Sequence, residues 1–415
     1  MTNTAATGRL PATLWGAMII CGTVAGAGMF TLPVVMSGSW FSWSVLLLVI
    51  SWGCMLLSGL LFMQASLWYP KGAGYDTLTR DLTSKTWSRL NGLSIVFVLG
   101  ILTYAYISAS GPVYQRSLFR LGLPIDETGT KILLTLIVAG VVWLGTAGVG
   151  RFITFCLIAK ILLFFALFGG LLTQVQPALL FNTQAGSTQY WPYLLGVFPF
   201  CLASFGYHGN ITGLISYYHS NRGKISRALI YGTLLALVIY LLWITCSMGN
   251  IPRHAFPAIS QKGGDIVALM DAMHQHIQGS SLSLMMDIFS HFAVICSFLG
   301  VTAGLFDFIA DKLQTSKDRR GRTLTALLTF LPPLIASIFC PEGFLVAIGY
   351  AGLLATLWAL FTPALLACRA QRKFMPQHAM PLGQKLAVIA VVLFGLINIV
   401  AWVATRLNWL PVWMG

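Results

Sequence analysis

Long apolar segments separated by short polar loops run through the whole chain. Windows of about twenty residues are almost entirely apolar, as in stretches containing SVLLLVI, LLALVIYLLW and LAVIAVVLFGLINIVAW. Strands of a membrane barrel would instead alternate apolar and polar positions over about ten residues. The pattern therefore predicts an all-helical integral membrane protein. We predict eleven transmembrane helices, at residues 12–35, 42–66, 91–114, 131–148, 152–175, 190–217, 228–249, 283–311, 323–340, 343–368 and 384–405.

The amino-acid composition excludes a soluble protein. Of 415 residues, 57% are hydrophobic and only 9% are charged, whereas soluble domains average about 45–50% apolar and about 25% charged residues. No polar or low-complexity linker divides the chain, so we predict a single transmembrane domain over residues 1–415. The first apolar segment is longer than the roughly 7–15 residues of a signal-peptide core, which indicates an uncleaved first span.

The distribution of positive charge predicts the orientation of the chain. The net charge is +14, which in a soluble protein would suggest nucleic acid, but in a membrane protein it reports topology. We therefore expect no nucleic-acid partner. With a cytoplasmic N-terminus, the predicted inner segments carry 18 Lys and Arg residues and the outer segments carry 6. Because Lys and Arg are enriched in cytoplasmic loops, this asymmetry predicts a cytoplasmic N-terminus and an external C-terminus.

Two predicted spans are interrupted by residues that form helices poorly. GTVAGAGM breaks the first span at Gly22 to Met29, and SFGYHGN breaks the sixth at Ser204 to Asn210. Either break alone is also explained by close helix packing, since Gly22 and Gly26 fit a GxxxG contact. The two spans are five apart, however, as corresponding segments of two five-helix inverted repeats would be. We predict a five-plus-five inverted repeat, with repeat one over about 12–175, repeat two over about 190–368 and an additional helix at 384–405.

Helices that end inside a membrane expose backbone groups that lipid cannot satisfy, so such ends line polar cavities. Free N–H groups there attract a carboxylate, and free C=O groups attract an ammonium group or a metal cation. The head group of an amino acid carries both charges. The paired breaks therefore indicate a transporter for a zwitterionic substrate.

A few polar side chains are predicted at membrane depth. Lys160 is the ninth residue of its span, about 12 Å into the membrane, where a lysine costs about 2.5–3.5 kcal/mol. It is either functional, or it extends its amine to the inner surface or pairs with a carboxylate without a functional role. His208 in the second break either titrates or hydrogen-bonds a freed carbonyl, whereas His291 is interpreted as a buried polar group. Tyr106, in the stretch TYAYISASG, either lines a cavity or belongs to the ordinary core.

The longest predicted loop, residues 250–282, lies on the outer side. Its apolar residues Ile266, Leu269, Met270 and Met273 recur at helical spacing, which predicts a short helix over the outer face, with or without a function.

The chain contains no HExxH, GxxxxGK[ST] or GxSxG motif, so these signatures of metal, nucleotide and covalent chemistry are absent from its sequence. The eight cysteines lie in or beside apolar segments without metal-ligand spacing. We expect no enzymatic activity, no catalytic residue, no cofactor and no metal.

Several motifs in their order along the chain resemble the bacterial hydroxy/aromatic amino acid permease family, with the greatest similarity to its tryptophan permeases. They are GTVAGAGMFTLPVVMSG, ILTYAYISASG, the lysine of IAKI, FPFCLASFGYHGN, SFLGVTAGLFDFIAD, LLTFLPP and AIGYAGLLATLWA. The resemblance covers nearly the whole chain. The family belongs to the amino acid–polyamine–organocation superfamily, whose fold is the five-plus-five inverted repeat. The resemblance implies proton-coupled uptake of an aromatic amino acid across the bacterial inner membrane.

The resemblance also implies roles for individual residues. It assigns the substrate head group to Thr23, Val24, Ala25, Gly26, Ala27 and Gly28 in the first break and to Ser204, Phe205 and Gly206 in the second. Tyr106 is a candidate for aromatic contact with the substrate. Lys160 matches the coupling lysine of proton-coupled relatives, with Ser297 as its neighbour, and His208 is a further candidate for proton coupling.

The sequence departs from the family at two positions. Gln64, in MQAS, stands where relatives have a glutamate, and His291 stands where they have Asn or Asp. Either a proton-relaying carboxyl is absent here, or His291 takes part of its role.

The main functional hypothesis is a tryptophan and proton symporter. A symporter for tyrosine, or for serine and threonine, on the same scaffold is the nearest alternative. A channel, which would pass ions without accumulating substrate, and a transporter-like sensor, which would bind without transport, are alternatives of a different class.

Overall fold

The computed structural model describes residues 12–26, 28–70, 73–144, 146–183, 189–264, 266–313, 315, 318–341 and 343–413, without the side chains of residues 12, 146–154, 156, 157, 160, 161, 280 and 344. Within this part, the regular structure is helical and includes no strand. The helices are α1 (Ala12–Val24), α2 (Gly28–Val35), α3 (Trp40–Ser66), α4 (Tyr75–Leu82), α5 (Lys85–Arg120), α6 (Glu127–Leu144), α7 (Thr146–Leu172), α8 (Pro177–Leu180), α9 (Phe198–Ser204), α10 (Ile211–Tyr217), α11 (Arg222–Asn250), α12 (Phe256–Gln261), α13 (Ile266–His276), α14 (Ser280–Leu313), α15 (Arg319–Phe339), α16 (Phe344–Thr356), α17 (Thr362–Phe374) and α18 (Leu382–Arg406).

Eight helical segments in the described part are long and apolar enough to cross a membrane: Trp40–Ser66, Lys85–Arg120, Glu127–Leu144, Arg222–Asn250, Ser281–Leu313, Arg319–Phe339, Leu345–Phe374 and Leu382–Arg406. The pair α1 and α2, bent by 53° at the first predicted break, makes a ninth if it is counted as one span. The predicted all-helical membrane fold is confirmed. The number of eleven spans remains a prediction.

The remaining two predicted spans also fall on helical segments. The predicted span 152–175 corresponds to α7, and 190–217 corresponds to α9 and α10 with a 3-10 turn at His208–Asn210 between them. Helix α5 is longer than the predicted span 91–114, because it begins at Lys85, where the Ser84 side chain caps it by accepting a hydrogen bond from the Trp87 backbone N–H.

The broken helices lie in the interior of the helical bundle. Helix α1 packs on α11, and α9 packs on α2 and α16, while α14 packs on α5 and α7. Buried aromatic rings fill the space between these elements. Phe30 of α2 meets Trp243 of α11 edge to face with ring centroids 5.3 Å apart, and Phe205 meets Tyr240 with centroids 5.1 Å apart.

Short helices lie at both ends of the bundle. At one end, Asp81 of α4 accepts hydrogen bonds from the Lys373 amine at 2.6 Å and the Tyr69 hydroxyl at 2.5 Å, and these bonds lower the pKa of that carboxyl. At the other end lies α13, the helix that was predicted within 250–282. Its residues Ile266, Leu269, Met270 and Met273 are buried, as the apolar spacing indicated.

Candidate functional site

The two predicted helix breaks lie directly against each other. Gly28 is the first residue of α2, and Ser204 is the last residue of α9. The Ser204 hydroxyl donates to the Phe200 carbonyl at 2.8 Å and lies 3.4 Å from the Gly28 carbonyl. A Cβ atom at Gly28 would come within 3.1 Å of the Ser204 Cα, so a side chain there would separate the two elements. This close approach explains the glycine at position 28.

The carbonyl ends of the two half-helices meet at one tyrosine. The Tyr240 hydroxyl, fully buried on α11, lies 2.6 Å from the backbone carbonyl of Val24 and 2.6 Å from that of Ser204. Each carbonyl belongs to the last residue of its helix and therefore has no partner within that helix. A hydroxyl carries one proton, so it donates fully to only one of the two carbonyls at a time. The Val24 carbonyl also accepts from the Gly26 backbone N–H at 2.7 Å, so the spare acceptor capacity at this point, which suits an ammonium group, lies on the Ser204 carbonyl.

A side-chain hydrogen bond at Thr23 also connects the first break to the second. The Asn210 side-chain amide donates to the Thr23 hydroxyl at 2.6 Å, and that hydroxyl donates to the Ile19 carbonyl at 2.9 Å. Thr23 is exposed, whereas Ala25 and Gly26 in the break are buried. Thr23 therefore lies at the exposed edge of the first break.

Gly26 lies against α5 and α14. A Cβ atom at this position would come within 2.8 Å of the Ser297 Oγ and 2.9 Å of the Tyr106 Oη. Tyr106 is buried, and its ring stacks on Phe298 with centroids 6.4 Å apart. The Ser297 hydroxyl is buried and has no hydrogen-bond partner among the described residues. The arrangement brings predicted residues from three separate segments to one point.

A model of the tryptophan/tyrosine permease family matches residues 9–402. The chain belongs to the tryptophan/tyrosine permease family. It is 47% identical over 413 residues to the tryptophan-specific transport protein of Shigella flexneri, covering 100% of both chains. It is 42% identical over 400 residues to the low affinity tryptophan permease of Escherichia coli strain K12, covering 96% of each. Family membership identifies this permease as a multi-pass membrane transporter rather than an enzyme, as the sequence predicted.

A solved structure with a similar fold is the crystal structure of the Eremococcus coleocola manganese transporter in complex with an aromatic bis-isothiourea substituted compound. The TM-score is 0.61 at 14% sequence identity, covering 99% of this permease and 92% of that chain. At this identity the similarity concerns the fold alone.

His208 of the permease lies in the second break and contacts α3. It is fully buried, its Nε2 lies 3.1 Å from the Ser58 Oγ on α3, and its ring stacks on Tyr207. The Ser58 hydroxyl in turn donates to the Ala359 carbonyl. Because the Ser58 proton is used in that bond, Nε2 carries a proton and donates to Ser58. The Nδ1 atom is then an acceptor, and it has no partner among the described residues.

The Ala359 carbonyl is available because of a local irregularity in the helix. Residues Leu357–Phe361 form a π-helix between α16 and α17. Four residues after Ala359 stands Pro363, which has no N–H to donate to that carbonyl. Ser58 takes the place of the missing donor, so His208, α3 and the π-helix form one buried hydrogen-bonded unit.

Two of the predicted site residues are not fully described by the structure. Ala27 lies outside the described residues, and Lys160 lies on α7 with a side chain that is outside the described part. The predicted proximity of Lys160 to Ser297 remains a prediction. Gly206 follows the end of α9, and its ideal Cβ would meet only the Ala203 carbonyl, at 3.4 Å.

Sequence reasoning missed Tyr240, Ser58 and the π-helix. Tyr240 stands within the apolar run LALVIYLLW, where a single hydroxyl in a buried helix was the available signal. For the π-helix the signal was Pro363 within a predicted span.

Proposed function

We propose that this chain is a proton-coupled symporter that imports aromatic amino acids, L-tryptophan above others, by alternating access. The observation that carries the proposal is the meeting of two broken helices at the Tyr240 hydroxyl, 2.6 Å from the carbonyls of Val24 and Ser204. The family and the names of the relatives support tryptophan as the substrate. The bacterial inner membrane is the proposed location.

The proposed architecture is eleven spans, with a five-plus-five inverted repeat and an additional C-terminal helix. Repeat one comprises α1 to α7 and repeat two begins with the segment containing α9, so the two broken spans occupy equivalent positions. Helix α18 packs on α3 and α16 and also on α9, next to the second break. This position is compatible with a helix added to a complete repeat pair.

The proposed substrate site is built from the two breaks. The ammonium group binds at the carbonyl ends near Val24 and Ser204, where the Ser204 carbonyl has acceptor capacity to spare. The carboxylate binds at the start of α2, beside the predicted segment Gly26 to Gly28, because the first N–H groups of a helix have no carbonyl partner within that helix. Tyr106 provides aromatic contact for the side chain of the substrate.

In the proposed coupling mechanism Lys160 carries the proton, with Ser297 as a hydrogen-bonding neighbour and His208 as a second candidate. Charged Lys160 connects α7 to the first break and α14, and neutral Lys160 releases them. The buried Ser297 hydroxyl, which has no partner among the described residues, supports this arrangement because a lysine amine can donate to it.

Counterflow of labelled tryptophan in proteoliposomes tests the function. We expect vesicles loaded with unlabelled tryptophan to accumulate label transiently, and an inward proton gradient to drive uptake that an uncoupler abolishes. Unlabelled tryptophan should compete best, tyrosine less well and serine least. Equal competition by serine would contradict the aromatic specificity. Ion flux without accumulation would indicate a channel, and binding without counterflow would indicate a sensor.

A further inference from the structure

A cavity of about 610 Å³ opens between α3, α17 and α18, apart from the paired helix breaks. Its lining includes none of the residues assigned to substrate or proton. The apolar part is formed by Leu57, Leu60 and Leu61 of α3 and by Ala367 and Ala387. The polar part is formed by Gln64, Arg222, Gln371, His378 and Gln384.

The cavity changes from apolar to polar along the direction of the helices. Along α3 and the turn that follows it, the lining runs from Leu57 through Leu61 to Gln64 and Trp68, a distance of about 16 Å at the helical rise per residue. Trp68 is at the polar end, where it stacks on Phe374 with ring centroids 5.3 Å apart. Tryptophan is enriched at membrane–water interfaces. The cavity therefore extends from the apolar membrane interior to the membrane surface.

The polar end has the electrostatic character of an anion site. Among the residues that line the cavity, Arg222 is the one with a permanent charge, and it is positive. Arg222 is exposed and forms no ion pair with another described residue. The three glutamine side chains add amide hydrogen-bond donors, and His378 adds an imidazole ring. An occupant with a negative head group and an apolar tail would satisfy both ends.

We propose that this cavity binds one anionic phospholipid, with its phosphate at Arg222 and one acyl chain along Leu57, Leu60 and Ala387. Basic pockets between transmembrane helices near the membrane surface bind such head groups. A free phosphate or phosphate ester would leave the apolar wall uncovered. The lipid would hold α18 against α3, since residues of both helices line the cavity.

Native mass spectrometry of the full-length chain released from nanodiscs tests the proposal. The nanodiscs would contain phosphatidylglycerol and phosphatidylethanolamine in equal amounts. We expect wild type to retain phosphatidylglycerol preferentially, and Arg222→Gln to reduce that preference about five-fold, since one basic residue near the membrane surface contributes about this factor. Lys224→Gln is the matched control, because Lys224 is exposed two residues further along α11 and does not line the cavity.

Filling the apolar part provides a second test. Ala387→Trp would occupy the space of the acyl chain, so we expect it to reduce retention of both lipids while the variant still elutes as a folded protein. The proposal would be wrong if Arg222→Gln retained phosphatidylglycerol as strongly as wild type. It would equally be wrong if glycerol phosphate bound as well as the lipid, or if the cavity were covered by a second copy of the chain in a dimer that Ala387→Trp dissociates.

Discussion

Gly26 and Gly206 lie in the two breaks but differ in the space around them. At Gly26, even a methyl group would collide with the Tyr106 and Ser297 hydroxyls, at 2.9 and 2.8 Å. At Gly206 the ideal Cβ would have only the Ala203 carbonyl nearby, at 3.4 Å. A substitution at Gly26 therefore changes packing within the protein. A substitution at Gly206 extends into open space, where we propose that the substrate binds.

We expect Gly206→Leu to weaken tryptophan binding by at least about ten-fold, or about 1.4 kcal/mol, with little loss of thermal stability. Gly26→Ala should instead lower stability by about 1–3 kcal/mol, because overpacking moves the buried Tyr106 ring. Binding of labelled tryptophan and thermal unfolding in detergent measure the two effects. Gly140→Leu, which adds the same bulk at an exposed glycine of α6, is the control. Wild-type binding by Gly206→Leu would remove the second break from the site.

Lys160 is the residue on which the proposed coupling depends. We expect Lys160→Met to abolish concentrative uptake while tryptophan exchange survives, because the variant has no proton to carry. Lys160→Arg should also fail to concentrate substrate, since arginine keeps its proton in proteins. One proton crossing about 100 mV supplies about 2.3 kcal/mol, which supports about fifty-fold accumulation of tryptophan. We expect the Lys160 variants to lose this accumulation. If Lys160→Met accumulated tryptophan with the wild-type dependence on the proton gradient, His208 would become the candidate to test.

At the scale of elements, the two half-helices share one partner on α11. Removing the Tyr240 hydroxyl leaves the Ser204 carbonyl without that donor, whereas the Val24 carbonyl keeps the Gly26 backbone N–H at 2.7 Å. A buried carbonyl that loses its partner costs about 1–3 kcal/mol. The broken spans thus depend on a side chain that belongs to neither of them.

We expect Tyr240→Phe to lower the free energy of unfolding by about 1–3 kcal/mol and to impair tryptophan binding as well. Tyr231→Phe is the matched control, since Tyr231 lies on the same helix and is 54% exposed. Thermal unfolding with and without tryptophan measures both effects. A Tyr240→Phe variant as stable as Tyr231→Phe would show that the hydroxyl does not hold the two ends together.

The sequence predicted local features of these elements and missed the contacts between them. Both breaks were apparent from glycines and polar residues within apolar spans, and α13 was apparent from its apolar spacing. The bond of Tyr240 to Val24 spans 216 residues of chain, and no local pattern specifies such a pairing. The same holds for Ser58 and Ala359, which are 301 residues apart. Hydrophobic periodicity reports which face of a helix is buried but not which buried groups meet.

At the scale of the whole molecule, ion pairs identify loops that share an end of the bundle. Lys312, at the end of α14, pairs with Asp76 of α4 at 3.0 Å, and Lys373 of α17 pairs with Asp81 of α4. These lysines belong to the group of 18 that was predicted to be cytoplasmic. Arg116 pairs with Asp271 of α13 at 2.5 Å and belongs to the group of 6 predicted to be external.

We expect a reporter that is active only in the periplasm to be active when fused after Gly415 and inactive when inserted within 312–322. The physical reason is that moving the basic inner loops across the membrane is unfavourable, which places the 18-residue group in the cytoplasm. A fusion within 262–264, on the side of α13, should be active and serves as the control for external loops. A cytoplasm-active reporter at the same positions should give the inverse pattern. Activity of the periplasmic reporter at 312–322, or its silence after Gly415, would contradict the eleven-span topology with an external C-terminus.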